Sequence, residues 1–263
     1  MIEMLLSSVP QWALTHAAPL LVMVPLMLAP LLALVPSGRV AWLVSIAATA
    51  TTLVFALILL GIVQSPAMGN WLPPLGIELR VDALNAMILV LVGVIGLLAT
   101  IMSYPTVLAE VRKEKTALFY SAFLACFAGL CGVAITGDAF NLFVFLEISS
   151  ISTYVLVALG ASRDRRALHA AFNYLIMGTI GATFFIIGVG FLYAATGTLN
   201  MADIASKLPA LQGSRTVQAG FAFIVVGLGL KAAMWPLHQW LPNAYSYSPS
   251  FVTMFLSATA TKV

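Results

Sequence analysis

The chain has 263 residues, of which 62% are apolar and 8% charged, with a mean hydropathy of +1.05. A soluble domain carries roughly 25% charged residues, so that class is excluded. At about 20 apolar residues per membrane span the length is taken up by seven or eight helices, leaving no space for a nucleotide-binding or catalytic head. The net charge of +3 is the balance of nine Asp and Glu against twelve Lys and Arg, ten of which are scattered over several loops. They form no nucleic-acid stripe and are better read as topology information.

Apolar runs between turn and charge clusters predict spans near 17–36, 40–63, 81–103, 116–136, 138–160, 167–196 and 216–241, with a last one starting near 250. No basic segment or Ala-x-Ala cleavage site marks the start as a signal peptide, so the first hydrophobic stretch is expected to stay in the mature protein. That first span holds Pro19, Pro25, Pro30 and Pro36. A membrane bundle tolerates them where neighbours re-satisfy freed carbonyls, and a kink is expected. Loop 64–80, with Pro66, Gly69, Trp71, Pro73 and Pro74, reads as a rigid turn carrying an interfacial aromatic. Cys126 and Cys131 lie five residues apart in an apolar stretch, a spacing of neither a disulfide framework nor a metal knuckle, and read as packing or lipid-facing thiols. Segment 197–215 is too polar to span and is expected to lie along the interface. From Ser250 the last span has about 14 residues, roughly 21 Å, short of a hydrocarbon core of about 30 Å, so the sequence reads as the front part of a longer protein.

Odd-numbered loops hold Arg39, Arg112, Lys113, Lys115, Arg163, Arg165 and Arg166; even-numbered loops hold Arg80, Lys207 and Arg215. The positive-inside rule therefore places the odd loops in the cytoplasm and the N-terminus outside, in an inner (cytoplasmic) membrane.

Three charges fall inside spans: Glu147, Lys231 and Lys262. Each costs about 2.5 to 3.5 kcal/mol on insertion scales at the membrane centre, which a scaffold has no reason to meet. Glu147 shares a helical face with Ser150 and Tyr154, a polar stripe that either holds helices together or handles protons. Pro236 removes a backbone bond and clashes with the carbonyl of Ala232, so the helix should break just past Lys231. His238 falls on the lysine's face if the helix resumes. Lys262 follows Thr259 and Thr261. Burial favours the neutral amine, and a carboxylate about 5 Å away favours the charged one by about 3 kcal/mol at an effective dielectric near 20. An acid and amine whose separation changes thus form a proton relay. The three histidines, His16, His169 and His238, have no metal spacing, and no cofactor or phosphate-binding motif is present.

The pairing of Phe145-Leu-Glu147 with Lys231, the stretch Trp235-Pro-Leu-His238-Gln-Trp-Leu-Pro242-Asn-Ala-Tyr245, Ser248-Pro249-Ser250 and the closing Thr261-Lys262 resemble the antiporter-like subunits of respiratory complex I and of Mrp-type cation/proton antiporters. The stretches Ala170-Ala-Phe-Asn-Tyr174 with Gly178 and Gly197-Thr-Leu-Asn-Met-Ala-Asp203 look most similar to the D-type component of Mrp antiporters and its relatives in membrane-bound hydrogenases. The resemblance implies an all-α polytopic fold of about fourteen helices with two inverted five-helix repeats. Residues 1–115 would supply three preceding helices and 116–263 the first repeat with its broken helix, the second repeat lying outside this sequence. It further implies that Glu147 pairs with Lys231, that Lys262 passes the proton on, and that His238 gates or relays. Complex I relatives usually carry an acid where this chain has Asn243, which leans towards the Mrp or hydrogenase branch. The expected role is proton conduction in a multisubunit Na⁺/H⁺ antiporter. The partners would be other membrane subunits, protons, possible Na⁺ and lipid, with no cofactor, metal or nucleic acid. The rivals are the same fold in a redox-driven, quinone-linked or hydrogen-evolving complex, and an inert scaffold.

Overall fold

The computed structural model describes residues 10–61 and 71–259. Six helices are long and apolar enough to cross a membrane, and they run in chain order. They are α1 (Gln11–Ala33), α2 (Gly38–Leu60), α3 (Ala83–Glu110), α4 (Thr116–Ile135), α5 (Ala139–Ala158) and α6 (Arg166–Thr196). Four shorter helices follow: α7 (Met201–Lys207), α8 (Arg215–Lys231), α9 (Trp240–Tyr247) and α10 (Ser250–Ala258). Among the described residues the only extended pairing is two isolated bridges, Leu79 with Thr136 and Asp138 with Asn200.

Helix α1 runs unbroken through Pro19, Pro25 and Pro30, while Pro36 lies beyond its end. Pro25 cannot bond the carbonyl of Leu21, and the Thr52 hydroxyl of α2 donates to that oxygen instead. The neighbour thus supplies the bond the proline removed, as a proline-rich membrane helix requires. Ser121 of α4 ties to α1 as well, donating to the Ala29 carbonyl at 2.6 Å. Helix α4 is the buried centre: Phe119, Tyr120, Phe123 and Phe127 are fully enclosed. Its Phe119 and Phe123 meet Phe251 of α10 edge-on, and Phe123 also meets Phe255. Cys126 and Cys131 are both wholly buried, so they are packing thiols and do not face lipid. Cys126 sits 3.3 Å from the Thr153 hydroxyl of α5.

At one end of the bundle Asp82 caps α3 through Asn85 N–H and Asp138 caps α5 through Asn141 N–H, satisfying donors that a helix start leaves open. The same end gathers Glu78, whose carboxylate accepts from the Asn200 amide at 2.6 Å. Segment 197–215 forms α7 and a single 3₁₀ turn, Leu208–Leu211, in place of a span, as its polarity predicts. Of the 64–80 loop, residues 64–70, with Pro66 and Gly69, lie outside the described residues, whereas Trp71 is exposed. The reading of the first residues as a retained segment also concerns positions, 1–9, that are not described.

The expected single span over 216–241 is instead two helices. Helix α8 ends at Lys231, a turn region follows, and α9 starts at Trp240. Helices α6 and α8 approach closely through glycines: a Cβ on Gly227 would meet the Phe185 and Gly181 backbone, and one on Gly188 the Gly220 carbonyl. Small residues allow that approach where lipid gives no hydrophobic drive between helices.

Candidate functional site

Helix α8 stops for a local reason. Met234 N–H bonds the Gly229 carbonyl at 2.9 Å and Ala233 N–H the Leu230 carbonyl, with Ala233 left-handed at φ 53°. These are the two bonds of a Schellman cap, which closes a helix by turning one residue into the left-handed region. The break thus falls two residues past Lys231 and ahead of Pro236, in the place the proline predicts but by a different device. The Trp240 indole N–H then donates to the Leu230 carbonyl at 3.0 Å, clamping the start of α9 against the end of α8.

The cap leaves Lys231 as the last residue of α8, aimed at the middle of α5. Its Nζ donates to Glu147 Oε1 at 2.8 Å and to Ser150 Oγ at 2.6 Å. The side chains are 11% and 22% exposed, so the pair is largely enclosed. At that separation and an effective dielectric near 20 the attraction is about 6 kcal/mol, which offsets a desolvation cost of several kcal/mol per ion. Glu147 lies eight residues into α5, roughly 12 Å along its axis.

Tyr154 continues the stripe, but its hydroxyl packs against Gly178 of α6 and has no hydrogen-bond partner. Its ring meets Tyr174 edge-on at 4.7 Å, and Tyr174 stacks on Trp240 at 4.0 Å. An aromatic chain therefore links the acid's helix to the broken one. A cavity of 50 Å³ lined by Ser149, Ser150, Thr153, Tyr174 and Lys231 abuts the ammonium. A water needs about 10 to 15 Å³ by this measure and two or more polar partners, and both conditions are met. Ser149, Thr153 and Tyr174 were not singled out from the sequence; the i, i+4 hydroxyls beside the Glu147 stripe and the aromatic of the Ala-Ala-Phe-Asn-Tyr stretch were the available signals.

The structure does not bring all the expected residues together. His238 lies in the turn region between α8 and α9 and not on a resumed helix, so the shared face with Lys231 does not form; its Nδ1 is buried without a partner. His169 is exposed and paired with Asn173 at 3.1 Å, and His16 is exposed too. Lys262 and Thr261 lie outside the described residues.

A bundle of membrane-length helices holding an acid–amine pair where one helix breaks defines an antiporter-like membrane subunit. Comparison with known proteins narrows the class. Residues 136–263 match the family described as "NADH:quinone oxidoreductase/Mrp antiporter, TM", and the chain carries a domain of that family. It is 50% identical over 196 residues to NADH-quinone oxidoreductase subunit N of Desulforudis audaxviator, covering 74% of this chain and 38% of that protein. It is 33% identical over 201 residues to the D-type component of the Na⁺/H⁺ antiporter of Bacillus subtilis, covering 76% and 40% respectively. Its fold superposes on a chain of the archaeal membrane-bound sulfane sulfur reductase with a TM-score of 0.83 at 30% identity, over 94% of this chain and 51% of that one. The chain thus spans about two-fifths of the curated relatives it matches. It is a multi-pass membrane protein related to both the Mrp and the complex I subunits.

Proposed function

We propose that this chain conducts protons across the cytoplasmic membrane as a subunit of a multisubunit cation/proton antiporter, with Glu147 and Lys231 as the relay pair. The supporting observation is the double anchoring of Lys231 Nζ by Glu147 and Ser150 beside a small cavity edged by Ser149, Ser150 and Thr153 and otherwise walled by Leu130, Val133 and Leu146. While the carboxylate touches the ammonium, the charged amine is held; withdrawing it removes that attraction, and the enclosed amine sheds its proton. Lys262 would take the proton onward and His238 or Tyr154 would gate it. The cytoplasmic end would be the one rich in Arg and Lys, with residues 1–115 as flanking helices and 116–263 as the first repeat.

Truncating one partner strands the other charge in the interior at a cost of about 3 to 5 kcal/mol, so assembly must be measured beside transport. In everted vesicles carrying the complete complex, Glu147→Ala and Lys231→Ala are expected to abolish sodium-driven proton movement while the complex still assembles. Glu147→Gln with Lys231→Met, which removes both charges, should be equally inactive yet closer to wild type in stability. Wild-type exchange in these variants would end the proposal and favour a scaffold. The 50% identity to a quinone oxidoreductase subunit supports a second reading, the same relay driven by a redox reaction in other subunits. Proton pumping that follows an electron donor and ignores Na⁺ would select it.

A further inference from the structure

The bundle end opposite Glu78 carries a groove of 430 Å³ whose rim holds Arg112, Lys115 and Arg165, above apolar walls that include Leu118, Val155 and Leu168. It lies between the starts of α4 and α6 and the end of α5, away from the Glu147–Lys231 pair. The neighbouring arginines have partners. Arg163 pairs with Glu110 at 3.0 Å and Arg166 with Asp164 at 2.7 Å, which holds the Asp164 carboxyl below its ordinary range. Among the described residues no ion pair engages Arg112, Lys115 or Arg165.

Two of these cations stand where a helix disfavours them. Lys115 is the N-cap of α4, whose first turn holds no acidic residue, and Arg165 that of α6, whose Arg166 N–H is already accepted by the Asp164 carboxylate. A helix start carries roughly half a positive charge, so cations there raise a field that an anion would relieve. The walls below the rim are apolar: Leu118, Val155 and Leu168 are 43%, 37% and 51% exposed along helices of membrane length. A soluble anion would use the rim and leave the walls wet. We propose that this groove binds an anionic phospholipid, its phosphate among Arg112, Lys115 and Arg165 and its acyl chains along α4, α5 and α6. Basic pockets between membrane helices suit such headgroups.

The test uses the complete complex, purified in mild detergent and depleted of lipid, with native mass spectrometry reading bound lipid during titration with cardiolipin, phosphatidylglycerol or phosphatidylcholine. Wild type should retain the two anionic lipids over phosphatidylcholine. Arg112→Gln, Lys115→Gln and Arg165→Gln should each weaken that binding about fivefold, and the triple variant on the order of 100-fold. Lys113→Gln, just outside the groove, should change nothing. Should the triple variant fail to assemble, the single variants carry the test. Equal anionic-lipid binding in wild type and the three single variants overturns the proposal. So does inorganic phosphate competing as effectively as cardiolipin, which would mark a soluble-anion site.

Discussion

At the residue scale, the stripe on α5 divides into groups with different partners. Glu147 and Ser150 both accept from Lys231, whereas Tyr154 Oη is buried and makes no protein hydrogen bond of ordinary length. A buried hydroxyl without a partner costs roughly 1 to 3 kcal/mol, so a residue kept only for packing would be better off as phenylalanine. Tyr154→Phe is therefore expected to raise unfolding stability by about 1 kcal/mol, read by thermal melting in detergent. The same variant should slow proton transport if the hydroxyl serves the relay, and a stabilised variant with full transport would remove Tyr154 from it. The spacing 147, 150, 154 was legible because a helix of 3.6 residues per turn brings i, i+3 and i+7 to one face. Where the Tyr154 hydroxyl packs was not legible, because it depends on Gly178 of another helix leaving open the space that a side chain there would take.

At the element scale, the decisive feature is how α8 ends. Proline chemistry located the break to within a few residues, since Pro236 cannot continue a helix. The Schellman cap with Ala233 at φ 53° was invisible, because alanine gives no local hint of a left-handed residue that glycine would have given. An L-residue there bears roughly 1 to 2 kcal/mol of steric strain. Ala233→Gly is expected to stabilise the protein by about 0.5 to 1 kcal/mol, part of the relief being lost to backbone entropy, as thermal melting would show. Proton transport should persist, since Lys231 keeps its place as the last helical residue; a destabilised Ala233→Gly protein would mean that the cap does not carry this strain. His238 shows the same limit from the other side. Helical spacing put it on the lysine's face, but the cap turned the chain away, and periodicity has no meaning across a turn.

At the scale of the whole molecule, the ends of distant segments are tied together. Glu110, the last residue of α3, accepts from Ser250 N–H and Ser250 Oγ at 2.6 Å each and from Arg163 at 3.0 Å. Helix α10 has no side-chain cap of its own, so a carboxylate 140 residues earlier satisfies its first turn. Charged hydrogen bonds of this kind contribute about 1.5 to 3 kcal/mol each before solvent exposure weakens them. Glu110→Ala should lower stability by about 2 kcal/mol and make the region of α10 the first to be cut by protease. An unchanged melting temperature and cleavage pattern would show that the aromatic packing of Phe251 and Phe255 on α4 suffices alone.

What the chain's own composition and order determined was the membrane class, most of the spans and the choice of Glu147 and Lys231 as charges to examine, because hydrocarbon penalises polar groups so heavily that each exception stands out without any knowledge of neighbours. Which carbonyl Thr52 repairs, and that Lys231 reaches both Glu147 and Ser150, were settled only by tertiary structure. Those outcomes depend on contacts between segments 31 to 84 residues apart, and single-helix periodicity carries no information about them.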